Sequence, residues 1–133
     1  MVAGRLLQAG YVVLTPIGDN QRYDLVIDVS GKFWRIQCKK GRLNRLKSAV
    51  QFDVCSVYSH KPGEQVTRTY RGTADFFGVF CDELDKVFIV PVAKCGIKEC
   101  HLRLSQKHKV PSSRFAADYE IGRLAEWLKA PHR

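Results

Sequence analysis

Two strand-like runs joined by a short turn occupy residues 24–39, and together they predict a β-hairpin early in the chain. The first run extends from Asp24 to Val29, and the second from Phe33 to Lys39. Both contain β-branched or aromatic residues, and Ser30-Gly31 between them is a pair that favours a tight turn. Because a hairpin determines which residues face each other, this segment sets the geometry of any site that it carries.

The register of this hairpin separates an apolar face from a polar one. If the turn has an even number of residues and is centred between residues 30 and 31, Leu25 lies opposite Ile36 on the core face. The same register puts Asp24 opposite Gln37 on the other face, with Lys39 two residues further along. A carboxylate, an amide and an ammonium group are therefore expected to share one face at one end of the hairpin.

These three groups have the chemistry for metal-assisted phosphodiester cleavage. Mg²⁺ prefers hard oxygen ligands and keeps some waters, so Asp24 can supply a carboxylate oxygen, Gln37 its amide oxygen and Cys38 its backbone carbonyl. A bound metal ion lowers the pKa of a coordinated water, and Lys39 can hold the attacking hydroxide and offset charge in the transition state. The same residues on an arbitrary hairpin are more often a solvated strand face, so other segments of the chain must distinguish the two.

The other segments predict a single α/β domain over residues 1–133, with a mixed β-sheet flanked by helices. Leu6, Leu7 and Gly10 are typical of the last turns of a helix, which we expect to be cut short at Met1. No internal repeat, low-complexity tract or linker divides the chain. Further strands are predicted at residues 11–14, 49–58, 75–81 and 86–92, a polar loop at residues 60–69, and a helix from Ser112 or Ser113 to before Pro131.

The charge of the chain favours a polyanionic partner. Its 22 lysine and arginine residues outnumber 13 acidic residues, and the formal net charge of +9 at pH 7 attracts nucleic acid. No membrane partner is expected, because the charge is spread over all elements and no apolar run is long enough to span a bilayer. The N-terminus lacks a signal-peptide layout and the cysteine count of five is odd, which predicts an intracellular protein of the cytoplasm or nucleoid with reduced thiols.

Four segments in a fixed order resemble a nuclease family. Residues 23–28 (YDLVID) and 36–39 (IQCK) are similar to the PD-(D/E)XK motif, in its variant with glutamine at the middle position. Residues 70–77 (YRGTADFF) and 88–92 (FIVPV) extend the likeness to the small intron-encoded homing endonucleases built on that fold. Tyr23 occupies the position of the motif's proline.

The resemblance implies a restriction-endonuclease-like core and metal-dependent, site-specific cleavage of double-stranded DNA. It assigns Asp24, Gln37 and Lys39 to the catalytic positions, with Mg²⁺ or Mn²⁺ held by Asp24, Gln37 and the carbonyl of Cys38. It also implies a homo-oligomer, a dimer or tetramer, since one small subunit can contact only part of a long target. Relatives carry a glutamate on the first helix, whereas the first acidic residue of this chain is Asp19.

A run of cations directly after the motif predicts contacts to the DNA backbone. Gly41 and Asn44 interrupt this run, which is expected to form a loop or short helix that lays the cations along the phosphates. Sequence recognition is expected from side chains within residues 60–71. The full set of expected DNA contacts is Arg35, Lys40, Arg42, Arg45, Lys47, Arg68 and Arg71.

Several alternatives remain open at this point. Asp75 suits capping or structural hydrogen bonding better than metal binding, and Asp28 suits an exposed strand end. A zinc site formed by Cys95, Cys100, His101 and His108 is disfavoured because no paired Cys-x-x-Cys knuckle is present. At the level of function, the alternatives are a Holliday-junction resolvase-like nuclease that recognises branched DNA and a catalytically inactive DNA-binding module.

Overall fold

The centre of the fold is a twelve-residue strand that carries the predicted catalytic residues Gln37 and Lys39. The computed structural model describes residues 1–18, 21–58, 61–105 and 114–129. Two α-helices lie in these ranges, α1 at Val2–Gln8 and α2 at Leu124–Lys129, and 3₁₀ turns at Val92–Lys94, Ala116–Tyr119 and Ile121–Arg123. The strands are β1 Val12–Leu14, β2 Leu25–Val29, β3 Lys32–Leu43, β4 Ala49–Asp53, β5 Cys55–Tyr58, β6 Val66–Thr69, β7 Phe76–Cys81, β8 Lys86–Pro91 and β9 Glu99–Arg103.

Seven of these strands form one mixed sheet around β3. The strand order is β1-β2-β3-β4-β9, and β7 joins β3 in parallel while β8 pairs with β7 in the antiparallel sense. β5 and β6 form a separate two-stranded sheet, which we call the ribbon. The expected restriction-endonuclease-like α/β fold, a mixed sheet with helices against it, is confirmed.

A gap in the pairing of β3 marks the position of the site. β2 pairs with residues 32–36 of β3 and β4 pairs with residues 42–43, so neither strand pairs with residues 37–41. Among the strands of the described residues, β7 alone pairs with that stretch. The backbone of residues 37–41 is therefore held firmly on one edge and open to other partners on the opposite edge.

The sheet separates two hydrophobic cores. On one face, Trp34 and Ile36 of β3 pack with Phe76, Leu6 of α1 and Leu124 of α2. The other core contains buried residues of β4, β7, β8 and β9 and the buried ring of Tyr70. Gln37 and Lys39 alternate with Trp34, Ile36 and Cys38 along the strand, so their side chains lie on the second face.

The hairpin prediction is confirmed in its register. Leu25 pairs with Ile36, and Ser30 and Gly31 have φ angles of 53° and 84°, the positive values that a two-residue primed turn requires. Gly10, with φ of 91°, follows α1 as expected of a C-terminal glycine. The predicted β7–β8 hairpin is also present.

Four expectations about the elements are wrong. The segment after the motif continues as strand through Leu43, so it is not a loop or short helix. The strand predicted at residues 49–58 is broken at Val54 into β4 and β5, and residues 66–69 of the predicted loop form β6. β9 was not predicted. The C-terminal segment consists of two 3₁₀ turns and the short α2, interrupted at Glu120, and its predicted start at Ser112 or Ser113 and its end near Pro131 lie outside the described residues.

Candidate active site

Asp24 enters the site where the pairing between β2 and β3 stops. Its backbone N–H donates to the carbonyl of Ile36 at 2.9 Å, one residue out of the register in which Leu25 faces Ile36. Its carboxylate Oδ2 then accepts a hydrogen bond of 2.8 Å from the N–H of Cys38. The carboxylate thus takes the place of the next ladder acceptor, and this bond fixes its orientation at the start of the unpaired stretch.

The peptide of Cys38 connects Asp24 with Gln37. The Gln37 Nε2 donates to the Cys38 carbonyl at 3.3 Å, while the N–H of the same residue is bound to Asp24. The structure therefore gathers the three expected metal ligands around the backbone N–H and carbonyl of one residue, Cys38. In this arrangement the Gln37 amide presents a donor to the Cys38 carbonyl, so the amide must turn for its oxygen and that carbonyl to share a cation.

Burial, together with the negative charge of the nearby Asp24 carboxylate, raises the pKa of the Cys38 thiol to about 11. The side chain lies on the α1 side of the sheet, on the face opposite to Gln37 and Lys39. At neutral pH the thiol is therefore protonated and acts as a small packing group. This agrees with the expectation that Cys38 contributes through its backbone.

Lys39 is held by an aromatic residue instead of a carboxylate. Its Nζ lies 3.2 Å from the hydroxyl of Tyr70 and 4.5 Å from the centre of that ring. Within the described residues, no carboxylate lies within 4.0 Å of this ammonium group. The charge of this ammonium group is therefore not offset by a described carboxylate, and the group lies on the face that carries Gln37.

Arg22 was missed by the sequence analysis and links the site to the ribbon. Its guanidinium Cζ lies 4.1 Å from the centre of the Tyr70 ring, on which Lys39 also lies. Its two terminal nitrogens donate to the hydroxyl of Ser56 on β5 and the carbonyl of Thr69 on β6, each at 2.7 Å. No pattern marks Arg22 in the sequence, because a lone arginine before a strand is a common surface residue.

Arg35 and Asp75 form a part-buried ion pair two residues before Gln37 on the same face of β3. The carboxylate of Asp75 accepts from the Arg35 backbone N–H at 2.8 Å and from its guanidinium at 3.3 Å. The backbone is tied in both directions, since the N–H of Asp75 donates to the carbonyl of Arg35. Asp75 therefore has the structural hydrogen-bonding role that the sequence favoured, and the Arg35 guanidinium is engaged within the fold.

A cavity of about 460 Å³ opens beside this ion pair. Its lining includes Phe33, Arg35, Arg71 and Asp75. Arg71 also donates to the carbonyl of Cys95 at 3.1 Å. Two of the seven expected DNA-contacting cations thus lie together, next to the β3 face that carries the site.

The other expected DNA contacts are divided between different surfaces. Lys40 and Arg42 alternate with Lys39 and lie on the opposite face of β3, where Lys40 pairs with Asp82 at 3.7 Å and Arg42 with Glu99 at 2.7 Å. Arg45 and Lys47 are exposed in the turn between β3 and β4. Arg68 is exposed on β6 of the ribbon. The continuous basic surface expected from the sequence is therefore split across the sheet.

The donor set around Cys38 fits a hard divalent cation in kind. It consists of one carboxylate, one amide and one backbone carbonyl, and Mg²⁺ accepts such oxygen ligands together with waters. The seven residues of α1 contribute no acidic side chain. Across the described ranges, no group of three or more His, Cys, Asp or Glu side chains is placed to hold a metal ion. The site therefore offers few charged ligands, and water would have to complete the coordination shell.

The alternative zinc set does not form within the described residues. His101 contacts Glu99 at 2.8 Å and Gln51 at 3.4 Å on the surface of β9, whereas Cys95 and Cys100 are buried. His108, the fourth member of the set, lies outside the described residues. The cysteines belong to the core beneath β9, and His101 belongs to a surface network.

Comparison with known proteins identifies the family to which the chain belongs. The model of the PD-(D/E)XK endonuclease family matches residues 1–122, so the chain belongs to that family. Among solved structures, a bacterial homing endonuclease, I-Ssp6803I, matches with a TM-score of 0.73 and 28% sequence identity, over 96% of this chain and 86% of that chain. No curated protein matches the chain. The predicted resemblance to small homing endonucleases is confirmed, and the chain is a nuclease by family.

Proposed function

We propose that this chain is a metal-dependent endonuclease that cleaves double-stranded DNA at a specific site. The observation that supports this most directly is the hydrogen bond from the Cys38 N–H to the Asp24 carboxylate. This bond holds Asp24 beside the stretch of β3 that carries Gln37 and Lys39 on one face. The family supplies the reaction class, and the similar structure is that of a homing endonuclease. A DNA substrate implies that the protein acts inside the cell.

The proposed catalytic residues have separate roles. Asp24, the amide oxygen of Gln37 and the carbonyl of Cys38 would hold Mg²⁺ or Mn²⁺, which when bound lowers the pKa of a water and polarises the scissile phosphate. Asp24 is kept in position by the Cys38 N–H. Lys39 holds the attacking water by hydrogen bonding, and its charge stabilises the extra negative charge of the transition state.

DNA contacts are proposed on the face that carries Lys39. A two-stranded ribbon has the width that the major groove admits, and Thr67, Arg68 and Thr69 of β6 are exposed on it. Arg35 and Arg71 lie beside the site and could contact phosphates that flank the cleaved one. The remaining expected contacts, Lys40, Arg42, Arg45 and Lys47, would require DNA or a second subunit to reach other surfaces.

The proposal includes a homo-oligomer, a dimer or tetramer, because the face around Lys39 is small compared with a long DNA target. Sedimentation velocity of the purified protein, alone and with DNA, measures the number of copies directly. A complex with one copy per DNA duplex would contradict this part of the proposal.

The test of catalysis compares Asp24, directly before β2, with Asp28, near the end of β2. Asp24→Asn keeps an oxygen for the Cys38 N–H but removes the charge, so the variant is expected to fold, bind DNA and lose cleavage in Mg²⁺ or Mn²⁺. Lys39→Ala is expected to lose cleavage as well. Asp28→Asn is the matched control, because the Asp28 carboxylate accepts a bond from the Gly31 N–H at 3.0 Å at the hairpin turn, away from Cys38. Near-normal cutting by Asp24→Asn or Lys39→Ala would refute the assignment.

A second candidate, an inactive DNA-binding module, is favoured by the single carboxylate of the donor set. It predicts salt-sensitive DNA binding by the wild-type protein without nicking in either metal.

A library of linear DNA and a four-way junction are tested side by side as substrates. Preferential cutting of the junction would favour the resolvase-like alternative.

A further inference from the structure

The ring of Tyr70 is in contact with two cations at the site. Lys39 Nζ is 4.5 Å and Arg22 Cζ is 4.1 Å from the centre of its ring, and Lys39 donates to its hydroxyl at 3.2 Å. The residue is 6% exposed and its ring packs edge-on against Phe77, with 5.6 Å between ring centres. A buried aromatic ring at this place is thus in contact with the charged groups of the site.

The backbone of Tyr70 is also fixed. Its carbonyl accepts hydrogen bonds from the N–H groups of Thr73 and Ala74, and from the Thr73 hydroxyl at 3.0 Å. Side chain and backbone therefore have one well-defined position, which a residue that orients another must have.

We propose that Tyr70 is the positioning residue of Lys39 and that Arg22 couples it to the ribbon. This inference rests on the proposed catalytic role of Lys39. A lysine has a flexible four-carbon stem and three donors, so an ammonium group without a fixed acceptor samples many positions. The Tyr70 hydroxyl accepts one donor and its ring covers one side of the ammonium, leaving two donors for the attacking water and the phosphate.

Arg22 connects this lysine with both strands of the ribbon. It stacks on the same ring and donates to Ser56 Oγ and to the Thr69 carbonyl, and Thr69 directly precedes Tyr70 in the chain. Its Nε is a buried nitrogen without a hydrogen-bond partner in the described part of the chain, so the guanidinium is held by its two terminal nitrogens and the ring. A displacement of the ribbon on DNA would therefore be transmitted to the Tyr70 ring and to Lys39.

The first experiment separates positioning from stability. In Tyr70→Phe the ring remains and the hydroxyl is lost, so the single-turnover cleavage rate should fall about tenfold while the Kd for DNA and the unfolding temperature stay near wild type. Tyr70→Leu should lower the rate by about 100-fold. Tyr119→Phe is the matched control, since this buried tyrosine stacks on Trp127 at 5.1 Å and should cleave normally.

A spectroscopic measurement reports on the contact without requiring activity. In wild type the ring current of Tyr70 should shift the NMR signals of the Lys39 Hε protons upfield, and the shift should persist in Tyr70→Phe and vanish in Tyr70→Leu. An unshifted Lys39 signal in the wild-type protein would overturn the inference.

Double variants test the coupling through Arg22. Arg22→Gln should reduce the cleavage rate by roughly tenfold in the wild-type background and add little in the Tyr70→Leu background, because both changes release the same lysine. Full additivity would overturn the coupling. If Lys39→Ala is inactive but Tyr70→Phe cleaves at the wild-type rate, the positioning role is refuted while the proposed function stands; if Lys39→Ala cleaves normally, the proposed function itself fails.

Discussion

At the scale of single residues, two aspartates that each precede a strand have different surroundings. Asp75 is 9% exposed and its carboxylate is bound by the N–H and guanidinium of Arg35. Asp24 is exposed and its carboxylate accepts a single described hydrogen bond, from the Cys38 N–H. Asp75 has its acceptor capacity used within the fold, whereas Asp24 retains lone pairs for a cation, and this difference supports a structural role for Asp75 and the proposed catalytic role for Asp24.

Removal of the Asp75 carboxylate should destabilise the protein. Asp75→Ala leaves the part-buried Arg35 without its partner, and we expect the free energy of unfolding to fall by about 2–4 kcal/mol. Urea denaturation followed by circular dichroism measures this. The control is Asp82→Ala, which removes an exposed pair with Lys40 and should cost less than about 1 kcal/mol. Equal losses for the two variants would contradict the structural role of Asp75.

The reactivity of the Cys38 thiol provides a test of its electrostatic interaction with the Asp24 carboxylate. With its pKa raised to about 11, about one thiol in a thousand is ionised at pH 8, so alkylation should be slow and should accelerate as the pH approaches 11. Asp24→Asn removes the negative charge, lowers the pKa of Cys38 and should increase the alkylation rate at pH 8. Mass spectrometry of peptides after timed labelling gives the rates. An unchanged rate would show that the carboxylate does not act on the thiol.

At the scale of elements, close packing sets the position of α1 over the sheet. A Cβ at Gly78 of β7 would lie 2.7 Å from Cγ1 of Val2 on α1 and 3.0 Å from Cγ2 of Ile36 on β3. Distances this short force a neighbour to move. The helix can therefore approach the sheet only because residue 78 has no side chain.

A substitution at this contact should be costly. Gly78→Ala is expected to lower the free energy of unfolding by about 1–3 kcal/mol, through overpacking between α1 and the sheet. The matched control is Gly4→Ala, where a Cβ on α1 meets nothing within 4 Å and helix propensity should improve stability by up to about 1 kcal/mol. Thermal unfolding of both variants measures the difference, and a neutral Gly78→Ala would show that α1 can move away freely.

The elements that could be predicted from the sequence are those with strong local patterns. The β2–β3 hairpin combines alternating apolar residues with a Ser30-Gly31 turn, and both its register and the common face of Gln37 and Lys39 follow from that pattern. β9 was missed because its alternation is short, with only Cys100 and Leu102 buried among its five residues. The ribbon was missed because β6 is exposed and has no alternating pattern.

The site could be predicted only as far as the hairpin itself. Tyr70 and Arg22 approach Lys39 through contacts between segments more than ten residues apart, and such contacts leave no periodic signal in one sequence. The continuation of β3 through Leu43 also divides the cations of the basic segment between two faces. Because side chains alternate in a strand, Lys40 and Arg42 lie on the face opposite to Lys39. Tertiary pairing of β3 with β7 decides that outcome.

At the scale of the whole molecule, the net charge of +9 includes cations on both faces of the sheet. Ion pairs engage some of these cations on each face, Arg35 with Asp75 on the face of the site and Arg42 with Glu99 on the opposite face. Within the described residues, no helix is long and apolar enough to cross a bilayer. We therefore expect the effect of a cation on DNA binding to depend on the face that carries it more than on the net charge of the protein.

This distribution predicts different effects for two arginines. Arg68→Gln on the ribbon should weaken DNA binding and reduce the slope of log Kd against log salt by about 1. Arg42→Gln removes the same charge from the opposite face and should leave that slope nearly unchanged. Fluorescence anisotropy titrations at several salt concentrations measure both slopes. Equal reductions would show that DNA contacts both faces or that net charge alone governs binding.

The hydrogen bond from the Cys38 N–H to the Asp24 carboxylate also lets a backbone proton report on the site. The amide proton of Cys38 is protected by a side chain instead of by a neighbouring strand, so its exchange with solvent depends on where that carboxylate is engaged. A cation that draws the carboxylate toward itself must alter the chemical shift and exchange rate of this one proton. The NMR signal of the Cys38 amide in a ¹⁵N-labelled sample should therefore show whether a cation occupies the site, without any cleavage of DNA.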